Sequence, residues 1–449
     1  MEALLFVDPA LPKRRGVEEA IRRAVGSGVL PVGSRLPSAR ELSADLGIAR
    51  GTVVAAVDDL VAEGLLEARA RTGIFVARSI GRPHTSPPPG ASDSPWFDLR
   101  PGRPEAGSFP VSRWAAALRR AAAAPPEPDD GAGSAILRAE LAAYLARARG
   151  VETSPESIVV TVGYRGGVWA LALALTGLGM SNVAIEDPAL PQAEAAWKAF
   201  GWEVADLPVD ASGARTDLLE QSIDVAVVTP SHQFPLGGAL DARRRRAAVE
   251  WASRVDGLVV EDDYDGEFRF DRRPVAALQR SEPQRIAYIG STSKTLDTRL
   301  RLGWLVLPHE LVAPTRRAVT ALSGGVSALE QLALAELIRS GDFERHIRRQ
   351  RREYARRRAI LQRVAAEAGL TLPGIPAGLQ AVIPVRPDWL ERHAPSDDGT
   401  VRIDGLLTHS LERYSRFFHQ DAALVAGFST PSRAMFEPAI AALISALTK

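Results

Sequence analysis

Six short apolar runs, Ser157–Val162, Asn182–Ile185, Val225–Val228, Gly257–Glu261, Arg285–Ile289 and Gly303–Leu307, punctuate the middle of the chain. Each has the length of a buried strand rather than of a buried helix. Stretches long enough for helices fit between several of them. Strands alternating with helices are the pattern of an α/β domain around a mainly parallel sheet. Such a sheet holds its ligands at the carboxyl ends of its strands, so the residues that follow these runs are where chemistry is to be sought.

Composition divides the 449 residues into three zones. Residues 1–78 are compact and mixed, 79–108 are rich in Pro, Gly and Ser and read as a flexible linker, and 109–449 carry the α/β pattern. A charge run from Gly341 to Ala366 (including FERHIRRQRREYARRRAILQRV) predicts a long helix with a solvated, arginine-rich face, a nucleic-acid contact being the alternative. The net charge of +1 excludes a strongly basic or acidic protein overall, although not a local basic face. With no cysteine there is no disulfide framework, thiolate-bound zinc or thiol nucleophile. The longest apolar run, Val168–Met180, falls short of the ~20 residues that span a bilayer. Near the N-terminus the charges follow the short apolar stretch, the reverse of a signal peptide. The expectation is a cytoplasmic protein without a membrane partner.

In the first zone Val17, Ile21 and Val25 recur at helical spacing and predict a helix over about 14–27. Ser38-Ala-Arg-Glu41 is a capping box that opens a second helix, with Leu42 and Leu46 inward and Gly47 placed to end it. Val53, Val57, Leu60 and Val61 mark the buried face of a third, from about Arg50 to Glu63, leaving Arg50, Thr52 and Ala56 outward. Leu65–Ala68 and Ile74–Ala77 then alternate as two short strands around a basic tip. Three helices and a basic hairpin make a winged helix, in which Arg35, Arg40, Arg50 and Arg71 suit phosphates or guanine edges. A small protein-binding domain with scattered arginines has the same periodicity.

The residues themselves separate these readings. The segment from Gly28 to Ala77, with GSRLPSAREL, Thr52-Val53 and Gly73-Ile-Phe-Val, resembles the GntR-type winged helix over nearly all its length. The resemblance implies operator DNA as partner, contacted by Arg35, Ser38, Arg40, Arg50, Thr52 and Arg71. Ala49 stands where a capping serine is usual, and Ile74 where the wing has threonine.

The chain has only four lysines, Lys13, Lys198, Lys294 and Lys449, so chemistry that needs a primary amine has few candidates. Lys294 follows the strand-like run Arg285–Ile289 within Gly290-Ser-Thr-Ser-Lys-Thr-Leu296. An aldehyde cofactor needs such an amine for a Schiff base and a carboxylate for its pyridine nitrogen. Glu261-Asp-Asp-Tyr264 offers carboxylates at the end of another run. Ser291, Ser293 and Arg301 suit a phosphate. A surface Ser/Lys loop without special chemistry is the alternative. In EDDYDGE the twelfth position of a calcium loop would be Arg272 rather than glutamate, so no metal is expected.

Thr229-Pro-Ser-His-Gln-Phe-Pro-Leu-Gly237, Val260–Phe268, Gly290–Leu296 and Leu300-Arg-Leu-Gly-Trp304 are similar to fold type I aminotransferases. Their order behind a GntR-type domain resembles the MocR/GabR-type transcription regulators across almost the whole chain. The resemblance implies a fold type I domain over 109–449, with a large part over about 150–325 and a small part over about 330–449. It also implies pyridoxal 5'-phosphate as cofactor and a homodimer. Lys294 would be the Schiff-base lysine, Asp262 the pyridine-nitrogen partner and Tyr264 the phenolic-oxygen partner. Ser291 and Arg301 would hold the phosphate, with Ser293 beside them.

The substrate side departs from the family. Leu190 replaces the usual tyrosine, Gln192 stands where GABA-responsive members have arginine, and Val425 where a carboxylate-binding arginine is usual. Tyr164 and Arg165 are bulkier than the usual phosphate-cup residues, and Thr298-Arg299 replaces the usual Pro-Gly before the phosphate arginine; Arg165 or Arg299 either adds a phosphate contact or obstructs the cup. The expectation is a regulator that senses a small amino compound, or pyridoxal phosphate itself, and not an enzyme. The alternatives are an active aminotransferase carrying a DNA-binding module, and a regulator whose pocket is dead.

Overall fold

The computed structural model describes residues 7–8, 11–26, 29–70, 72–77, 97–105, 107–127, 130–271, 275–417 and 421–448. The chain divides into two units, Met1–Asp93 and Ser94–Lys449. In the first, α1 (Lys13–Gly26), α2 (Ala39–Leu46) and α3 (Arg50–Ala62) precede an antiparallel hairpin of β1 (Leu66–Arg69) and β2 (Gly73–Val76). The apolar stripes of all three helices converge with Leu36, Leu65, Leu66 and Val76 on one core. Ser38 and Glu41 make the reciprocal capping box, and Gly47 ends α2 in the left-handed conformation, φ +63°. These are the elements of a winged helix.

Three residues differ from expectation. Ala56 is fully buried rather than outward, because Val53, Ala56, Val57 and Leu60 share one face of α3. Leu46 and Val61, expected inward, are only half-buried against the same core.

Ala49 precedes α3 with no side-chain cap. Ala49→Ser is expected to stabilise the first unit by about 0.5–1 kcal/mol, since a hydroxyl there would accept an otherwise unpaired helix amide. A denaturant midpoint that stays put or falls would count against this.

The second unit begins with β3 (Phe97–Asp98), α4 (Val111–Ala123) and α5 (Ala135–Arg149). The large sheet is then laid down as β4 (Ile158–Val162), β5 (Asn182–Asp187), β6 (Glu203–Asp210), β7 (Gly213–Ala214), β8 (Val225–Val228), β9 (Leu258–Asp262), β10 (Ile286–Ser291) and β11 (Leu302–Val306). The helices α6 (Gly163–Thr176), α7 (Pro191–Lys198) and α8 (Ala242–Val255) lie between its strands. The spatial order is β4-β11-β10-β9-β8-β5-β6-β7. Strands β10, β9, β8, β5 and β6 run parallel, while β11 is antiparallel to both neighbours.

Both faces of this sheet are covered. Val260 packs with Leu171 of α6 and Trp197 of α7, while its neighbour Val259 packs with Trp251 of α8. Burial on both sides is why these strands read as continuous apolar runs.

The rest of the unit consists of α9 (His309–Ser323), α10 (Ala328–Arg339), α11 (Asp342–Glu367), β12 (Gln380–Pro384), α12 (Pro387–Arg392), β13 (Thr400–Ile403), β14 (Leu406–Ser410), β15 (Ala423–Gly427) and α13 (Phe436–Thr448). Its sheet has the order β12-β15-β14-β13, and β3 pairs alongside β14. Phe436 and Leu443 of α13 and Tyr354 and Leu361 of α11 share its core.

Two expectations are revised here. The linker placed at 79–108 ends earlier. Residues 97–98 are a strand of the small sheet and Leu99 is fully buried, whereas 78–96 lie outside the described residues. Helix α11 is also more than a solvated charge run. Arg357 is completely buried and donates to the carbonyls of Phe428, Ser429 and Pro431 and to Glu105 and Glu353. Its neighbour Arg358 is buried as well.

Candidate functional site

On the first unit, Arg35, Arg40 and Arg50 are exposed, and none makes an ion pair among the described residues. Arg14 and Arg22 of α1 are instead engaged by Asp59 and Glu63 of the α3 end. Arg35, Arg40 and Arg50 thus present unpaired cations at the turn before α2 and at the first turns of α2 and α3. Arg35 lies against the wing, where a Cβ on Gly73 would come within 2.8 Å of its Nε. The Ser38 oxygen accepts the Glu41 amide at 3.3 Å and so orders α2, which leaves the hydroxyl proton for a phosphate. Thr52 is half-buried. Arg71 lies outside the described residues; Arg69 next to it stacks on Phe75, 4.6 Å from the ring centroid.

On the second unit a cavity of about 340 Å³ opens at the carboxyl ends of β4, β9 and β10. It brings together Lys294, Asp262, Tyr264, Ser291, Ser293 and Arg301 from three separate stretches of sequence. Lys294 donates from Nζ to the Gly102 carbonyl at 2.6 Å. Burial pushes its ammonium down, against the pull of Asp265 and Asp262. Asp262 ends β9, and its Oδ1 is buried without a hydrogen-bond partner. Burial pushes this carboxyl up to about 8, opposed by the Tyr164 hydroxyl. An orphaned carboxylate oxygen facing a cavity calls for a cationic N–H, which a protonated pyridine supplies.

The Tyr264 hydroxyl accepts from Gln380 Nε2 at 2.9 Å and lies 2.9 Å from His232 Nδ1. His232, fully enclosed, also lies 2.8 Å from Asp265. The hydroxyls of Ser291 and Ser293 are 2.8 Å apart. Gly163 starts α6 with φ +64°, and a Cβ on Gly303 would come within 2.7 Å of its backbone. That close approach sets the first amides of α6 beside the Arg301 loop. Helix amides, two hydroxyls and a guanidinium make an anion site.

Of the four unusual cup residues, Tyr164, Arg165 and Thr298 line the cavity. Arg299 does not, because its guanidinium is committed to Asp297. On the opposite wall Leu190 and Gln192 line the cavity. Val425 is fully buried, paired with Val382 across β12 and β15 in an apolar cluster with Leu411 and Tyr414.

Pro101, Gly102, Phe234, His409, Arg413 and Tyr414 also line the cavity. Of these only Phe234 falls in a segment that stands out in the sequence. A further unforeseen contributor lies behind the site. Arg149 of α5, buried, bonds both oxygens of Asp263, the Ser231 hydroxyl and the Gly266 carbonyl. This network fixes the chain at Asp263, between Asp262 and Tyr264, and again at Gly266. The remaining acids of the stretch are used structurally, Glu261 accepting the amides of Leu278 and Gln279.

A winged helix joined to an aminotransferase-type cofactor domain defines a class of transcription regulator. Residues 13–76 match the family model "Bacterial regulatory proteins, gntR family", and 99–401 match "Aminotransferase class I and II". The chain is 36% identical to the HTH-type pyridoxine biosynthesis transcriptional regulator PdxR of Corynebacterium glutamicum, over 81% of this chain and 82% of that one. It is 35% identical to the probable rhizopine catabolism regulatory protein MocR of Rhizobium meliloti, over 84% and 82%. Among solved structures, an archaeal alanine:glyoxylate aminotransferase superposes with a TM-score of 0.69 at 22% identity, covering 78% of this chain and 90% of that one. The chain belongs to the MocR/PdxR-type HTH transcriptional regulators, a GntR winged helix followed by a fold type I, pyridoxal phosphate-binding aminotransferase domain.

Proposed function

We propose that this chain is a homodimeric, cytoplasmic regulator that binds operator DNA through its winged helix. Its second unit reads a small amino compound, or pyridoxal phosphate itself, without turning over as an aminotransferase. The observation that carries this reading is a complete cofactor wall facing a substrate wall without the usual arginines. Glutamine and a fully buried valine stand at 192 and 425. An amino-acid carboxylate at those places would be left without its ion pair, and losing one partner of such a pair costs ~2–5 kcal/mol.

In this reading Lys294 is the amine that anchors the cofactor, which supplies an aldehyde and an electron-withdrawing ring. Asp262 holds a proton at the ring nitrogen. Tyr264, oriented by His232 and Gln380, donates to the ring oxygen. Ser291, Ser293, Arg301 and the first turn of α6 take the phosphate. A ligand acts as a signal only through unequal affinity for two arrangements of the protein.

The test is a turnover assay over a panel of amino donors, beside DNA binding to the protein's own promoter region. Promoter binding without multiple turnover is expected, and steady turnover would sink the sensor reading. Arg40→Ala or Arg50→Ala should weaken promoter binding and lower the slope of log affinity against log salt by about one. Arg14→Ala, which removes a cation already engaged by Asp59, should leave that slope alone. Equal slopes in all three variants would remove these arginines from the DNA face.

A further inference from the structure

The cavity's charges do not balance for the cofactor alone. Among the described residues, Lys294, Arg165, Arg301 and Arg413 line it against a single carboxylate, Asp262. A phosphate beside Ser291, Ser293 and the first turn of α6 accounts for Arg301, and Arg165 lies in that same first turn. Arg413 belongs to neither. It comes from the short turn Leu411–Tyr414 that follows β14, on the small sheet.

Arg413 is half-buried, and its stem is held in place. A Cβ on Gly399, where φ is +73°, would come within 2.6 Å of the Arg413 Cβ and 2.9 Å of its Cγ. The chain thus keeps a glycine where the arginine passes. The adjacent acid, Asp398, accepts from the Ser396 hydroxyl and the Thr400 amide. Arg413 makes no direct ion pair among the described residues; it hydrogen-bonds the Tyr414 hydroxyl, its guanidinium carbon lies 6.0 Å from that ring's centroid, and its charge reaches Asp398 at longer range. His409 hydrogen-bonds the Tyr414 hydroxyl on the same wall. Burial, together with Arg413 and Arg100, pushes its imidazole down to about 4, so it adds no charge at neutral pH. A half-buried cation facing a cavity, with no carboxylate in direct contact among the described residues, is a site for an anion.

We propose that Arg413 anchors an anionic group, a carboxylate or a phosphonate-like headgroup, at the far end of a small amine effector. It takes the place of the arginines absent at 192 and 425, with Gln192 and His409 as neutral hydrogen-bonding neighbours. This deepens the sensor reading above and rests on it. The amine end faces the Lys294 side of the cavity and the anionic end faces the small sheet.

The experiment is calorimetric titration of the full-length protein, with and without added pyridoxal phosphate. The probes are β-alanine, 2-aminoethylphosphonate and n-propylamine. The wild type should bind at least one anionic amine about tenfold or more tightly than propylamine, a difference of about 1.4 kcal/mol. Whichever anionic amine binds more tightly distinguishes carboxylate from phosphonate. Arg413→Gln should reduce the preference to less than about threefold at an unaltered thermal midpoint, and Arg413→Lys should retain part of it. A wild type that binds none of the three, or that prefers propylamine, overturns the proposal. So does an Arg413→Gln protein that keeps the preference. Failure of the cofactor reading is seen separately, as absence of a visible absorbance band on adding pyridoxal phosphate.

Discussion

Lys294→Ala is expected to abolish the visible absorbance that pyridoxal phosphate gives the purified protein, and to weaken its retention at least about tenfold. The reason is chemical scarcity as much as position. Among the described residues no other primary amine lines the cavity. Lys13 is in α1, and Lys198 is on α7, paired with Glu194. Arginine cannot substitute, since its guanidinium stays protonated and offers no neutral amine. Lys294→Arg should therefore lose the band as completely as Lys294→Ala. The proposed phosphate contacts of Ser291, Ser293 and Arg301 are untouched in both variants, so weak, colourless binding should persist at high cofactor concentration. A band that survives either substitution would remove Lys294 from the centre of the site.

Arg149→Leu is expected to destabilise the second unit by about 3–5 kcal/mol in denaturant unfolding, the usual consequence of removing one partner of a buried ion pair. Arg149 holds the Asp263 carboxyl below the usual range against the cost of its burial. Without the guanidinium Asp263 would stand unpaired among Glu261 and Glu267, both already pushed up to about 7 by burial and by Asp263 itself. Adding Asp263→Asn to Arg149→Leu should recover part of the loss, because the remaining charge goes with it. A loss below about 1 kcal/mol would mean that Asp263 is protonated or hydrated in the native state and that the pair is not a structural anchor. The same variant should lower cofactor affinity, since Asp262 and Tyr264 flank Asp263 in the chain.

Local patterns legible in the sequence survive in the structure where local physics governs them. The capping box at Ser38 and Glu41, the αL glycine at Gly47 and the helical stripes of α1 and α3 depend on contacts three or four residues apart. The six apolar runs became β4, β5, β8, β9, β10 and β11 because strands buried on both faces must be apolar throughout. Ala56 was misplaced because alanine marks neither face of a helix, and only the approach of α1 decides whether it is covered. Strand β6 was missed because its residues are mostly half-exposed at the far side of the sheet. The direction of β11 has no local signature at all.

At the candidate site the division is sharper. Lys294, Ser291, Ser293 and Arg301 could be named from residue type and from their place near strand-like runs, whereas Asp262 and Tyr264 were singled out within Glu261–Tyr264 only by the family resemblance. A strand that ends in a parallel sheet delivers its next residues to the crevice whatever the rest of the fold does. The sequence alone also showed that arginine is missing at 192 and 425. It could not show that Arg413 faces the same cavity, that Arg299 is turned aside onto Asp297, or that Arg149 clamps Asp263 across 114 positions. Those facts depend on how the small sheet, α5 and the Lys294 loop pack together. Contacts between residues so far apart in the chain leave no periodicity to read, and only the tertiary structure assigns them.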